Sequence, residues 1–249
     1  MKEILIITGN WTIGGAEKVI KNIAENLPEE KYKINFLIFR KINYDINKKQ
    51  PIFNYPKNTN IYYLERKNLF SLYFSLFSFL RKNKPDLILT VIDPLFASLI
   101  VAVDKLAFKK SKIIISFHNF FLSKGKTIKQ ILYFPIRNFF IKKADFIITV
   151  SKDLKKYVKK NINISSSKIE TIYNPIINQN EILKSKYFPK EFLSFKENIK
   201  ILTVSRLDIK QKDFYTLIDA FILIKQKINS AKLFIVGDGR DRNKLEDLI

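Results

Sequence analysis

The chain has 249 residues and a mass of 29.4 kDa, and its 45 Lys and Arg against 23 Asp and Glu give a formal charge of +22. Hydrophobic residues make up 47% and aromatic residues 14%, which excludes a disordered basic tail and leaves one large globular domain or two small ones. The lack of cysteine excludes disulfides, thiolate zinc sites and a cysteine nucleophile, and the single histidine excludes a multi-histidine metal site.

Short apolar runs rich in β-branched residues alternate with longer amphipathic stretches over residues 1–174. Such runs are typical of strands buried on both faces of a parallel sheet, with helices on both sides. The predicted strands are Glu3–Thr8, Lys33–Phe39, Asn60–Leu64, Asp86–Val91, Lys112–Phe117, Phe146–Val150 and Ile169–Ile172. The predicted helices are Ala16–Leu27, Leu69–Lys82, Phe96–Phe108, Ile128–Lys143 and Lys152–Lys160. Residues 1–174 are therefore predicted to form one doubly wound α/β domain.

The alternation ends at Asn174-Pro175, and the polar residues 175–198 are predicted to be a linker without a clear strand. A second series then begins at Lys200. Its predicted elements are the strand Ile201–Val204, the helix Asp213–Lys227, the strand Lys232–Val236 and a helix from about Arg240. Because two strands make only a marginal sheet, residues 199–249 are predicted to be the start of a second α/β domain that the chain leaves incomplete.

Neither a membrane span nor a signal peptide is predicted. No uncharged run exceeds 13 residues, the length of Asn68–Leu80, whereas a spanning helix needs about 20. The N-terminal run Ile4–Thr8 is followed by a glycine-containing loop and is interpreted as a buried strand. We therefore expect a cytoplasmic protein, or one attached to a membrane surface from that side.

The first candidate site lies where Gly14-Gly15-Ala16-Glu17 follows the first strand and opens the first helix. Glycines there allow backbone N–H groups to approach a ligand, and a helix N-terminus favours an anion. The loop Gly9–Gly15 is longer than the dinucleotide-binding fingerprint allows. Two interpretations stay open from position alone, a ligand site and a pair of glycines that merely permits a tight loop.

Three further candidates also follow predicted strands. His118-Asn119 follows Lys112–Phe117, at the edge of an open α/β sheet where ligands bind. Arg206 and Lys212 follow the first strand of the second series, where a planar guanidinium and an ammonium suit a diphosphate. Arg206 is the more informative cation because only seven residues of the chain are Arg. The turn Gly237-Asp238-Gly239 follows the last strand and is a weak signal alone.

Taken together and in order, these motifs resemble the retaining, nucleotide-sugar-dependent glycosyltransferases of family four, also called group 1 glycosyl transferases. The motifs are Gly14-Gly15-Ala16-Glu17, His118-Asn119, Ala144–Ser151, Ile172–Pro175, Ser205-Arg206-Leu207 with Lys212, Leu217–Phe221 and Val236–Gly239. The resemblance extends from about residue 1 to residue 249. It implies the GT-B architecture, in which two Rossmann-like, doubly wound parallel-sheet domains face each other; here the second would be incomplete.

The resemblance also implies roles for individual residues. The first domain would bind a glycan or lipid-linked acceptor, the second the sugar nucleotide, and neither a metal nor another cofactor would be needed. Gly14, Gly15 and Gly237 would lie near the donor, His118 beside the transferred sugar, Arg206 and Lys212 on the diphosphate leaving group, and Glu17 and Asn119 on the acceptor side. Positive charge on the leaving group is the largest catalytic contribution that such a site can make.

Two departures from the family pattern affect these expectations. Arg206 and Lys212 lie one residue further apart than is usual in the family, so either the loop carries an insertion or Lys210 takes part of the role. The Glu-x7-Glu pair that holds the donor sugar and ribose in relatives would lie beyond residue 249. We therefore expect the 249 residues by themselves to be nearly inactive in sugar transfer.

The positive charge is concentrated in residues 104–160, which contain 15 Lys and Arg, three Asp and several aromatic residues. Such a segment suits an anionic membrane surface, but it also suits buried aromatic faces with solvated lysines. The predicted helix Leu69–Lys82 leaves the same alternatives open. Its apolar stripe would either enter lipid or pack on the sheet, and consists of Phe70, Phe74, Phe77 and Leu80.

Two other function classes explain the sequence less well. A basic nucleic-acid-binding protein is suggested by the charge, but the cations are overwhelmingly Lys and the motifs at strand ends are left unexplained, so no nucleic acid is expected as a partner. A nicotinamide-dependent oxidoreductase is disfavoured because it would need the glycine fingerprint and an acidic residue about 20 positions later, and the sequence does not offer this combination.

Overall fold

A computed structural model of the chain describes residues 1–9, 14–40, 59–65, 68–106, 111–120, 128–175, 195 and 199–248. The chain divides into two compact units, unit 1 over Met1–Asn178 and unit 2 over Gln179–Ile249. The predicted linker at 175–198 lies almost wholly outside the described residues, so its boundaries stay a prediction. No helix in the described ranges combines the length and the apolar character that crossing a membrane requires.

The described part of unit 1 contains a parallel sheet of seven strands in the order β3-β2-β1-β4-β5-β6-β7. The strands are β1 Lys2–Thr8, β2 Tyr32–Arg40, β3 Asn60–Glu65, β4 Leu87–Val91, β5 Lys112–Phe117, β6 Phe146–Thr149 and β7 Ile169–Thr171. The strand order reverses between β1 and β4. Ligands of open α/β sheets bind beside such a reversal, at the carboxyl ends of the strands, which are called the carboxyl edge below.

Five helices join or follow these strands within the described residues. They are α1 Gly15–Asn26, α2 Leu69–Asn83, α3 Pro94–Leu106, α4 Ile128–Lys142 and α5 Lys152–Ile162. Helix α3 begins two residues before its predicted start because Asp93 accepts a hydrogen bond from the Leu95 amide at 2.8 Å, and proline suits the first helical position. Helix α5 continues to Ile162, where Asn163 adopts a left-handed conformation with φ 54° and its N–H donates to the Lys159 carbonyl.

Different helices cover the two faces of this sheet. Successive residues of β1 alternate between the faces, with Ile4 and Ile6 on one side and Leu5 and Ile7 on the other. Helix α1 packs on the first side through the buried Ile20. The second side is covered by the helices α2, α3, α4 and α5, which are called the four-helix layer below.

Helix α2 turns one apolar stripe toward the sheet and another away from it. The buried stripe consists of Leu72, Leu76 and Leu80. On the opposite side, Phe70 is 75% exposed and Phe74 is 53% exposed, with their ring centroids 4.8 Å apart. The single stripe proposed from the sequence is therefore divided, because Leu80 belongs to the core, whereas Phe70 and Phe74 face outward.

The described part of unit 2 has a smaller core than that of unit 1. Its parallel strands β8 Lys200–Val204 and β9 Lys232–Val236 are accompanied by α6 Ile209–Lys212, α7 Phe214–Lys227 and α8 Arg242–Glu246. The buried cluster consists of Leu207, Ile209, Phe214 and Leu245. The one-turn helix α6 was not predicted, because four residues are too few to show a helical period. It is held by Asp208, whose carboxylate accepts a hydrogen bond from the Gln211 amide at 3.1 Å.

Candidate functional site

The segment after β1 places two glycines at the N-terminus of α1. Gly14 has extended backbone angles and precedes the helix, and Gly15 is its first residue. A Cβ at Gly14 would meet the Glu17 carboxylate, whereas a Cβ at Gly15 would meet no atom within 4 Å. An anion approaching this helix therefore finds open space at Gly15 and a negative charge already beside Gly14.

His118 lies directly after β5 on the carboxyl edge and is half-buried. Its Nε2 lies 3.1 Å from the Ser116 hydroxyl oxygen, and the tautomer decides which of the two donates. Burial lowers the pKa of His118 below its ordinary value of 6.5, so the imidazole is neutral at pH 7. The next residue, Asn119, is exposed. A neutral imidazole here can donate a hydrogen bond to a ligand, or accept one from it, without adding charge.

The sole histidine allows a direct test of this assignment. We expect the His118 ring resonance in a pH titration followed by NMR to give a pKa below 6.5. Because the unfolded chain then binds the proton more tightly, the free energy of unfolding should rise with pH between the folded-state pKa and about 6.5. In His118→Asn, urea unfolding should lose this part of the pH dependence. A titration midpoint at or above 6.5 would contradict the burial argument.

On the carboxyl edge of unit 1, Asp93 follows β4, the strand between β1 and β5. The Asp93 side chain is exposed, and its carboxylate caps the N-terminus of α3.

Helix α4 carries two buried polar groups. Arg137 is 3% exposed, and its guanidinium lies 4.5 Å from the Phe134 ring centroid. Burial raises the pKa of Tyr133 to about 12. Sequence reasoning did not single out these residues, although Asp-Pro two residues after the predicted strand Asp86–Val91 is a helix-start signal that could have identified Asp93.

In unit 2, the predicted cations lie on the loop and short helix that follow β8. Arg206, Lys210 and Lys212 are all exposed. Beside them, Asp208 accepts a hydrogen bond from the Arg240 guanidinium at 3.0 Å. The Gln211 amide first, and then the guanidinium groups of Arg240 and Arg206, hold the pKa of Asp208 below its ordinary range. Asp208 therefore stays ionised, and its negative charge reduces the electrostatic repulsion among these cations.

The loop that carries Arg206 is joined to the turn after β9 by backbone hydrogen bonds. The Ser205 amide donates to Val236 O and the Leu207 amide to Asp238 O, both at 3.0 Å. In return the Asp241 amide donates to Leu207 O at 3.2 Å. The Asp241 carboxylate also accepts from the Ile209 amide at 3.0 Å. Segments 205–209 and 236–241 are called the paired loops below, and they fix the backbone that presents Arg206.

Two glycines allow the paired loops to approach so closely. Gly237 has φ 155°, and a Cβ there would overlap the Ser205 carbonyl oxygen. A Cβ at Gly239 would overlap the Leu207 carbonyl and come within 2.8 Å of the Leu207 nitrogen. Both positions therefore require glycine for packing alone. Contact between Gly237 and a donor, which the sequence suggested, stays a prediction.

The structure groups the predicted residues by unit. The unit 1 residues share the carboxyl edge after β1 and β5, and comprise Gly14, Gly15, Glu17, His118 and Asn119. The unit 2 residues share the carboxyl ends of β8 and β9, and comprise Arg206, Lys212 and Gly237. Over the described part of the chain, no three His, Asp or Glu side chains come together as a metal site. Sequence reasoning missed Asp208 and Asp241, and the one available signal was that aspartate is a residue type that often precedes helices.

The sequence profile of Glycosyltransferase Family 4 matches residues 13–179, about two thirds of the chain. An uncharacterized glycosyltransferase of Methanocaldococcus jannaschii is 29% identical over 187 residues, which are 71% of this chain and 45% of that relative. The chitobiosyldiphosphodolichol beta-mannosyltransferase of Candida albicans is 28% identical over 159 residues, which are 57% of this chain and 34% of that relative. The chain thus spans about a third to a half of the length of these relatives.

Among solved structures, the lipopolysaccharide outer core galactosyltransferase WaaB in its apo form matches with a TM-score of 0.65 and 19% sequence identity. The match covers 99% of this chain and 64% of that one. At this identity the likeness concerns the fold. It confirms the predicted α/β class with parallel sheets, as found in GT-B structures.

Proposed function

Since the chain belongs to glycosyltransferase family 4, we propose that it takes part in transferring a sugar from a nucleotide-diphosphate-sugar to a glycan or lipid-linked acceptor. The transfer retains the anomeric configuration. The bond between the anomeric carbon and the donor phosphate oxygen breaks, and a bond from the acceptor oxygen to the same carbon forms on the same face. The acceptor proton passes to the departing diphosphate, so atoms and charges balance.

The observation that carries the proposal is Arg206 on the paired loops at the carboxyl ends of β8 and β9. A departing diphosphate accumulates negative charge, and a guanidinium on a fixed backbone can meet two phosphate oxygens with parallel N–H donors. Lys212, at the end of α6, adds a second positive charge. The proposal assigns charge neutralisation to these two side chains and requires no metal or other cofactor.

The unit 1 residues are proposed to serve the sugar and the acceptor. Neutral His118 can hydrogen-bond to a sugar hydroxyl without adding charge. Exposed Asn119 and the carboxylate of Glu17 offer further polar groups to an acceptor. Gly15 offers an open N-terminal turn of α1 to phosphate oxygens.

The acceptor is proposed to be lipid-linked and to belong to surface polysaccharide synthesis, with the protein at the cytoplasmic face of a membrane. Two names among the comparisons support this choice: the Candida albicans relative is named for a diphosphodolichol acceptor, and WaaB for lipopolysaccharide. The family membership supports glycosyl transfer in general. The sugar, its nucleotide and the linkage are left open by these names.

A titration with uridine, UDP and UDP-glucose tests the donor assignment on the 249-residue chain itself. The amide resonances of residues 205–213 should shift with UDP and UDP-glucose but not with uridine, because the diphosphate carries the interaction. GDP-mannose in place of UDP-glucose extends the test to a donor with another base and another sugar. Absence of any shift at millimolar UDP-glucose and GDP-mannose would contradict the proposed donor class.

Gly15→Ala separates the two interpretations of the glycine pair. Packing leaves room for the methyl group, so the free energy of unfolding should rise by about 0.5–1 kcal/mol. If the turn binds phosphate, the same variant should weaken UDP-glucose binding measured by NMR titration. Gly9→Ala is the matched control, since its Cβ would make only ordinary contact with Ile92 at 3.7 Å. Equal affinities in both variants would favour the tight-loop interpretation.

A further inference from the structure

The two faces of unit 1 differ in charge. The helices of the four-helix layer contain eleven Lys or Arg and two Asp, whereas α1 contains two Lys and two Glu. Of the two acids in the layer, Asp104 is 1% exposed, and Asp153 lies 3.7 Å from the Lys156 ammonium group. The solvent side of the four-helix layer therefore presents almost no unpaired negative charge within its described part.

Large apolar side chains lie on the same side. Phe70 and Phe74 project from α2 with their rings in edge contact, and Ile136 and Phe139 project from α4, each more than half exposed. These four side chains point away from the sheet, since the buried residues of the same helices face it. Helix α3 contacts both α2 and α4, so the two pairs belong to one layer. Exposed aromatic and branched side chains on such a layer favour a partner that offers an apolar phase.

Exposed cations lie on the same layer as these apolar side chains. The ammonium group of Lys143 lies 5.2 Å from the centroid of the Phe139 ring. Along α5, exposed lysines recur every four residues and thus share one side of the helix, at Lys152, Lys156 and Lys160. The C-terminal turn of α2 adds the exposed Arg81 and Lys82. A layer that exposes both apolar side chains and lysines matches the chemistry of a bilayer whose headgroups are negatively charged.

From this juxtaposition we propose that the solvent side of the four-helix layer docks onto an anionic lipid bilayer. Phe70, Phe74, Ile136 and Phe139 enter the boundary between headgroups and acyl chains, and the lysines of α4 and α5 contact the headgroups. Because α2 follows β3, its first turns lie at the carboxyl edge. Docking through Phe70 and Phe74 therefore brings the edge with His118 to the membrane surface.

The alternative polyanion, a nucleic acid, fits this surface less well. Phosphodiester chains would be attracted by the lysines but would leave the four apolar side chains in water. The exposed cations of the layer are mainly Lys, and the arginine of α4, Arg137, is buried. Base stacking would favour aromatic rings beside a groove, whereas Phe70 and Phe74 project into solvent from the outer side of α2.

Co-sedimentation with vesicles tests the docking of the 249-residue chain. The chain should pellet with vesicles of phosphatidylcholine mixed with phosphatidylglycerol at low salt. It should bind vesicles of phosphatidylcholine alone much more weakly, and added salt should release it. A chain that stays in the supernatant with the anionic vesicles at low salt would overturn the proposal.

Paired variants identify the surface involved. Phe70→Ser with Phe74→Ser should lower the partition coefficient about tenfold. Lys156→Gln with Lys160→Gln should lower it about 30-fold. The matched controls on unit 2 are Ile222→Ser with Leu223→Ser and Lys227→Gln with Lys232→Gln, which are similarly exposed and should bind like the original chain.

All substituted side chains are exposed, so equal urea unfolding curves should accompany these changes. Controls that weaken binding as much as the layer variants would overturn the assignment of the surface. Tight binding of a single-stranded oligonucleotide that depends on Lys156 and Lys160 but not on Phe70 and Phe74, without vesicle binding, would replace the bilayer with a nucleic acid. The vesicle assay contains no sugar nucleotide, so its outcome is independent of the proposed donor.

Discussion

Gly237→Ala should lower the free energy of unfolding of unit 2 by about 3 kcal/mol. The new methyl group would overlap the Ser205 carbonyl, and the backbone at φ 155° disfavours any side chain. Relief requires the paired loops to separate, which removes the hydrogen bond from the Leu207 amide to Asp238 O. The core that the described residues of unit 2 form is small, so it offers little other burial to offset the loss.

Amide hydrogen exchange of β8 and β9 measures this effect without requiring a fluorescent probe in unit 2. Exchange through opening of unit 2 should accelerate about a hundredfold in Gly237→Ala. The matched control is Gly15→Ala, the same chemical change at a position where the methyl group meets no atom within 4 Å. Unchanged exchange in β8 and β9 would mean that the paired loops can relax around a Cβ.

Arg206→Ala should raise the Kd for UDP-glucose about 10- to 100-fold. The side chain is exposed and its backbone is fixed by the paired loops, so its removal should change binding far more than stability. Arg206→Lys should recover part of the affinity, because an ammonium keeps the charge but cannot form two parallel hydrogen bonds to a phosphate.

Saturation-transfer NMR can measure this change at millimolar Kd values. Arg242→Ala is the matched control, because that exposed guanidinium is engaged with the Glu246 carboxylate at 2.8 Å. The Arg242 variant should bind UDP-glucose like the original chain, and both variants should keep the unfolding curve of unit 2. Equal losses in the two variants would indicate a general electrostatic attraction and contradict a specific role for Arg206.

Most of the fold could be predicted because its signals are local. Runs such as Ile4–Ile7 are apolar on both faces and so predict a strand inside a parallel sheet. Where an observed helix boundary differs from the predicted one, the difference depends on a single side chain. At α3, the Asp93 carboxylate accepts a hydrogen bond that starts the helix earlier than predicted. The one-turn helix α6 depends on the carboxylate of Asp208, a capping contact that has no periodic signal.

The candidate site was less predictable, because its geometry depends on contacts between distant residues. Position after a strand was enough to single out His118 and Arg206. It could not reveal that Gly237 packs on a carbonyl 32 residues earlier, nor that Asp241 reaches the amide of Ile209. These contacts follow from the parallel pairing of β8 and β9, which places the two loops side by side.

For helix α2, the pattern was ambiguous for a physical reason. Both Phe70-Phe74 and Leu72-Leu76-Leu80 recur with helical spacing, so hydrophobicity alone could not tell which stripe faces the sheet. The leucines are buried against the sheet, which leaves the phenylalanines on the solvent side.

The paired loops also constrain any attempt to redesign this protein. Because each segment supplies hydrogen-bond partners to the other, a loop exchange that grafts residues 205–209 from a homologue must graft residues 236–241 with them. Substitutions in one segment should be strongly epistatic with those in the other, and libraries that randomise only one would lose most members to misfolding. The smallest part that can be exchanged between homologues is therefore both segments together, 11 residues in all.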